Sequence, residues 1–324
     1  MRLFSAAILI AAASGPAGQS ALAQPAAIGI AAPRTTTLRQ ADARVAAIAY
    51  RLALAGRGLC PALHPLTGLL FHHLAEYLPA DRVLMTRLYG LDRGPGVLTV
   101  LAGSPAAQAG LKAGDVLLAV NGQAFPSPAA QIGLRDADKW RPLAEAGEAR
   151  LEEALGRGPA RLRVLREGRE LEVTLGSAPG CFGRVRLARN PKVNAFSNGH
   201  DVIVTTAMLD YVRSDDELAL VIGHELGHFI LGHPPMHGGD KLLASIGIGS
   251  GMFWKREEAA DRMALRLMAA AGYDLDAAIP FWRRFLGQYD TDPQIFRYHP
   301  SLGARERIAR EEIAAIRAAG AGPR

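Results

Sequence analysis

The 324-residue sequence has only two cysteines, Cys60 and Cys181, too few for a disulfide-dense scaffold or for a zinc site built from thiolates. No apolar run approaches the roughly 20 residues needed to span a bilayer. The N-terminal run stops at Ala13, and the later one, Gly238 to Trp254, is short and broken by glycines. Aromatic residues are sparse, at 6%, and none stacks beside a basic run; the formal net charge of +6 comes from arginines interleaved with acids. A solvated surface therefore fits better than nucleic-acid binding, with weak attraction to an anionic envelope surface left open. No internal repeat is present.

What is present divides into segments. Residues 1–23 hold one arginine, a short apolar run and Ala21-Leu22-Ala23 as a small-x-small cleavage site. This predicts a cleaved signal peptide and a periplasmic or secreted protein. Residues 24–37 are small, proline-bearing and aperiodic, a flexible leader. From Leu38 the apolar positions Ala41, Val45, Ile48, Leu52 and Ala55 follow at three and four spacing, an amphipathic helix stopped by Gly56 and Gly58. A second helical patch is expected over Leu69 to Leu78, making residues 38–87 a set of N-terminal helices. In an exported chain Cys60 and Cys181, each among turn residues, are expected to form one disulfide; two buried thiols are the alternative.

Over residues 88–177 the texture changes to short β-branched runs cut by glycine and proline. GVLTVLAGSPAAQAGLKAGDVLLAVNG reads as a strand, a short helix opened by Ser104-Pro105, a turn at Gly114-Asp115, a strand and an Asn121-Gly122 turn. Arg161 to Leu165 and Glu170 to Leu175 form a hairpin around Glu167-Gly168, and Trp140 to Leu155 supplies a further helix. This order resembles a bacterial PDZ domain. The resemblance implies an extended peptide added as a strand, its terminal carboxylate held by loop amides. The loop ahead of the Val97 strand, with Tyr89, Gly90 and Leu91, is the candidate; a spacer role is the alternative.

The chemistry lies in residues 178–324. Ser214 and Glu217 form a capping box, and the helix they open runs through VIGHELGHFILGH to Gly232 and Pro234. His224 and His228, at i and i+4, project from one face and can meet one ion, while Glu225 can reach a water on it. Zinc needs a third protein ligand. A second helix, FWKREEAADRMALRLMAAAGY, offers Glu257 and Asp261 on one face and Glu258 on another. His64, His72, His73, His200 and His237 lack ligand spacing, and histidines satisfied within the core are the bland alternative for the whole motif.

HELGH, then EEAAD, then His299-Pro300 together resemble the HtpX-like and Oma-like zinc metallopeptidases of peptidase family M48, the soluble BepA-like and LoiP-like branch being nearest. The resemblance implies an α+β chain: a mostly helical gluzincin-type domain with a small edge-strand sheet, plus an inserted PDZ domain. It implies one zinc per chain, His224, His228 and Glu257 as ligands, Glu225 as general base and Asp261 orienting a ligand histidine. Asn194, Ala195 and Phe196 match the family's substrate-binding edge strand, with a plain hairpin as the alternative. His299 and Arg307 match a family histidine and arginine near the metal, and His233 matches a residue that does not bind it. The expected function is an exported zinc metalloendopeptidase acting on misfolded or envelope proteins, with the PDZ module reading substrates or their C-termini. The alternative is a PDZ-based binding or quality-control protein with a latent or regulatory metal site.

Overall fold

A computed structural model describes residues 32–126, 137–182, 184–197, 201–234, 250–289 and 300–320. The signal segment, most of the Gly238 to Trp254 stretch, and His299 lie outside the described residues. From Leu38 onward the chain forms one compact unit.

Helix α1 (Ala32–Ala55) is followed by β1 (His64–Leu66), β2 (Leu69–His72), α2 (Pro79–Tyr89), β3 (Gly96–Val100), α3 (Pro105–Gln108), β4 (Val116–Val120) and β5 (Gln123–Ala124). Then come α4 (Ala137–Gly156), β6 (Ala160–Arg166), β7 (Arg169–Leu175) and β8 (Ala178–Gly180). The remaining part holds β9 (Val185–Ala188), β10 (Ala195–Ser197), β11 (Val202–Thr205), α5 (Thr206–Tyr211), α6 (Asp215–Ile230), α7 (Ser250–Ala270), α8 (Ala278–Tyr289) and α9 (Leu302–Ala318). The mixture of helices and separate small sheets is α+β.

The middle of the chain builds an antiparallel sheet in the order β2-β3-β4-β6-β7, with β5 beside β4. Its turns have the predicted chemistry: Asn121 and Gly122 take φ of 48° and 81°, and Glu167 and Gly168 take 50° and 78°, the left-handed pairs that close tight hairpins. Ser104 caps α3 by accepting from the Ala107 amide at 3.3 Å. Val97, Leu117, Leu162 and Leu175 from the sheet pack with Leu151 and Leu155 from α4 into an apolar core.

One expectation fails here. Leu69 to Leu78 is not a helix: Leu69–His72 is the edge strand of the sheet, paired antiparallel with β3, and the helix begins only at Pro79. The sheet thus recruits residues well ahead of residue 88. Proline at the first helical position and the extended residue before it fix that later start.

The ends of this middle stretch are fastened twice. β1 pairs antiparallel with β8, His64 opposite Gly180 and Leu66 opposite Ala178, and Cys60 is disulfide-bonded to Cys181 across 121 residues. Closing a loop of that length is worth about 4–5 kcal/mol in the chain-entropy picture. Val45, Ile48 and Leu52 of α1 join Leu220, Ile222, Leu265 and Phe281 in the larger core of the helical part.

Candidate metal centre

The two helices that carry the motif approach unusually closely, and small residues permit it. A Cβ on Gly227 would lie 3.1 Å from the Ala260 carbonyl oxygen and 3.2 Å from Met263 Cβ, and one on Gly223 would lie 3.3 Å from Ala264 Cα. Glycines on α6 facing alanines on α7 let backbone meet backbone. The start of α6 is fixed by Ser214, whose hydroxyl accepts from the Glu217 amide at 3.2 Å. Glu217 in turn accepts from the Arg213 amide at 2.7 Å and pairs with Arg284 of α8 at 2.6 Å.

This packing brings His224, His228 and Glu257 together, with one donor atom of each within 4.8 Å of the others. The Nε2 atoms of His224 and His228 are 3.2 Å apart, and the Glu257 carboxylate oxygens lie 3.4 Å from the first and 3.3 Å from the second. A tetrahedral ion with bonds of about 2.0–2.1 Å requires ligand atoms about 3.3–3.4 Å apart, so the spacing fits zinc. Glu258 faces away, paired with Arg262 at 2.9 Å, as the helical period requires.

Each histidine is held by its other ring nitrogen. His224 Nδ1 lies 2.9 Å from Asp261 Oδ1, and His228 Nδ1 lies 2.9 Å from His233 Nδ1. For His228 to offer an Nε2 lone pair, its Nδ1–H must donate to His233. Burial and then the neighbouring His228 lower His233 to about 4, which leaves it neutral and able to accept. Burial disfavours charge on His224, yet Asp261 and Glu257 outweigh it and raise the imidazole to about 10. The cluster attracts positive charge, and a proton competes with a metal for Nε2.

Arg305 was not foreseen. Its guanidinium donates to Asp261 Oδ1 at 2.5 Å and to Glu257 Oε2 at 3.2 Å, and stacks 4.0 Å over the Trp282 ring. Two buried carboxylates against one guanidinium leave negative charge beside two imidazoles, a donor set suited to a divalent cation. Arg307, expected near the metal, is instead on the solvent face of α9, paired with Glu311 at 2.9 Å. The buried stripe of that helix is Arg305, Ile308, Ala309, Glu312, Ile313 and Ile316, and position 307 falls off it. That stripe was the signal for Arg305.

Glu225 is part-exposed and lines a cleft of about 170 Å³ with His224, Asn194, Ala195, Trp282 and Arg305. Among the described residues β10 is an edge strand, paired with β11 in the order β10-β11-β9. Asn194 is pinned through its backbone to Thr205, donating to Thr205 Oγ1 at 3.1 Å and accepting from the Thr205 amide at 3.0 Å. Phe196 points to solvent, at 41% exposed, because side chains alternate along a strand.

The expected peptide loop is displaced as well. Tyr89 ends α2, Gly90 is its left-handed cap with an amide donating to Thr86, and Leu91 is buried against Leu74 and Met85. These residues are a helix terminus and a core plug. The turn that precedes the sheet's free edge is instead Leu66 to Leu69, held by Gly68 at φ 75°, where a Cβ would lie 2.2 Å from Ser104 Cβ.

Comparison with known proteins finds two families along the chain. The family described as Peptidase family M48 matches residues 166–254 and 242–313, and the PDZ domain family matches residues 96–125. A relative, the mitochondrial metalloendopeptidase OMA1 of Arabidopsis thaliana, is 30% identical over 152 residues, covering 40% of this chain. The chain spans 31% of that relative's length. On the M48 match, the His-Glu-x-x-His helix it contains and the carboxylate presented by the next helix, residues 166–313 carry a peptidase family M48 region, with a PDZ domain ahead of its metal-site helices.

Proposed function

We propose that this chain is a zinc metalloendopeptidase of gluzincin type that hydrolyses polypeptides in an oxidising compartment, periplasmic or extracellular. The observation that carries the reading is the convergence of His224, His228 and Glu257 at zinc spacing, with Glu225 on the same cleft beside an edge strand. The disulfide supports export, since such bonds persist where thiols are not kept reduced. Among the described residues no helix is long and apolar enough to cross a membrane. The substrates fitting these features are misfolded or envelope proteins, and the PDZ module recognises them or their C-termini.

His224, His228 and Glu257 would hold zinc, which when bound supplies Lewis acidity toward water and the peptide carbonyl. Asp261 fixes the tautomer and orientation of His224, and His233 does the same for His228. β10 aligns substrate backbone as an added strand, which accounts for tolerance of side-chain sequence. Glu225 takes the proton of the attacking water and returns one to the leaving amine. Arg305 sets its guanidinium against the buried carboxylates of Glu257 and Asp261 and holds both in place.

The test is Glu225→Gln in zinc-loaded protein against an unfolded protein substrate. Zinc content and melting temperature are expected to be unchanged and hydrolysis to fall by about 10²–10⁴-fold. Stoichiometric zinc in a wild type that cleaves no unfolded protein would favour a binding module with a latent metal site.

A further inference from the structure

The cleft beside Glu225, about 170 Å³, is lined along α8 by Phe281, Trp282, Phe285 and Leu286, with Met208 of α5 and Val221 of α6. At about 100° per residue those four α8 positions fall within one arc of the helix, so a single face presents three rings. The whole chain is only 6% aromatic, yet Phe281, Trp282 and Phe285 stand within five residues of one another. Met208, Val221, Phe281 and Leu286 are buried, whereas the polar members Asn194 and Glu225 are the more exposed. The cleft is therefore polar at its mouth and apolar behind it.

The aromatic wall is tied to the helix that carries the two histidines. Phe281 and Phe285 stack with centroids 5.6 Å apart and planes at 13°, and Trp282 meets Phe281 edge-on at 5.0 Å. Arg284, in the same turn, pairs with Glu217 at the start of α6 at 2.6 Å and lies 5.0 Å from the centre of the Tyr211 ring. Trp282 stands edge-on to His224 at 6.2 Å. Packed rings and a buried ion pair give a preformed wall at a fixed distance from the metal ligands.

That wall restricts what can enter. The two buried polar side chains on the cleft are engaged: His224 with Asp261 at 2.9 Å, and Arg305 with Asp261 at 2.5 Å and Glu257 at 3.2 Å. A lysine or aspartate side chain placed among Phe281, Phe285 and Leu286 would lose its hydration without gaining a partner there. A cavity of about 150 Å³ with apolar walls accepts a benzene-sized group. A phenyl ring thus fits, a methyl group leaves most of the space empty, and ring-on-ring contact favours an aromatic over an aliphatic side chain.

We infer that this cleft takes the aromatic side chain of a residue flanking the cleaved bond, always on the same side of it, and that Phe285 sets its depth. The inference rests on the reading of the chain as a peptidase and adds a side-chain requirement to it. β10 aligns backbone without regard to sequence, so selection falls to the cleft. Phe285 is part-buried where Phe281 is fully buried, and it can be trimmed with less damage to the core.

The test uses the full chain, zinc-loaded, on a reduced and alkylated unfolded protein, with cut sites mapped by mass spectrometry. Aromatic residues are expected at one fixed position beside the cut bond. Ten-residue peptides that differ only at that position then give kcat/KM, expected to be at least about tenfold higher for Phe than for Ala, with Leu between them and Lys and Asp lowest. Phe285→Ala should raise Trp relative to Phe by about tenfold, and Phe285→Leu, which keeps more of the packing, should shift the same ratio in the same direction by less. Val193→Phe, which narrows the cleft from its β10 side, should bring Phe down to the level of Ala with zinc content unchanged. Cut sites without a preferred neighbour, or an order of preference that survives all three substitutions, overturn the inference and leave the peptidase reading standing. A zinc-loaded wild type that cuts neither protein nor peptide overturns both, and the Glu225→Gln comparison identifies that case independently.

Discussion

The PDZ sheet and the metal-site helices solve burial in opposite ways. The sheet encloses Val97, Leu117, Leu162 and Leu175, and its buried polar side chains, Ser104 and Asp115 among them, sit at a helix cap and a turn. The helices α6, α7 and α9 enclose His224, Glu257, Asp261 and Arg305, all at most 7% exposed, within a shell of leucine and isoleucine. Apolar burial stabilises in proportion to area, whereas buried charges cost desolvation that their partners only partly return. The helical half therefore gives up stability to hold a cation site, and each charged group depends on the others.

Replacing one member of the charged set should show this most strongly. Asp261→Leu leaves Arg305 without its shortest partner and His224 without its anchor. Breaking a buried pair costs about 3–5 kcal/mol, and losing the partner of a ligand histidine weakens metal binding about 10–100-fold. Denaturant unfolding and competition with a zinc chelator read the two effects together. Leu117→Ala, in the sheet, should cost about 2–5 kcal/mol by cavity formation while leaving zinc affinity untouched; a change in affinity would mean that the two halves do not behave separately.

Between the halves, the contact at Glu148 should respond to acid. Burial alone would raise this carboxyl, but Arg186 and His73 outweigh it and hold the group near 2, against 4.5 unperturbed. A folded value below the unfolded one contributes stability above pH 4.5, and that contribution is lost as pH falls through about 2. Glu148→Gln is expected to flatten the unfolding midpoint over that window. The smallest effect is expected at Arg307→Ala, where an exposed pair with Glu311 is removed: melting temperature and zinc affinity should both stay within error.

The same contrast explains what could be read from the sequence. His224, His228, Glu257 and Asp261 were legible because helical spacing is local, and i, i+4 pairs declare a shared face without knowledge of the fold. The glycine-marked turns of the sheet were legible for a similar reason: positive φ leaves a residue-level mark. Arg305 was missed because its role depends on how α9 rotates against α7, and the family pattern drew attention to Arg307. β2 was missed because a short apolar run such as LLFH fits a strand or a helix equally well until its neighbours are known.

The Cys60–Cys181 bond has one more consequence, for damage rather than for folding. Any single backbone cut between residues 61 and 180 falls inside the covalent ring. The two fragments remain one molecule, and the β1–β8 pairing keeps the cut ends' anchors in place. In surroundings rich in proteases, such a chain can be nicked in its PDZ sheet without shedding the metal-site half, and the injury becomes visible on a gel only after reduction.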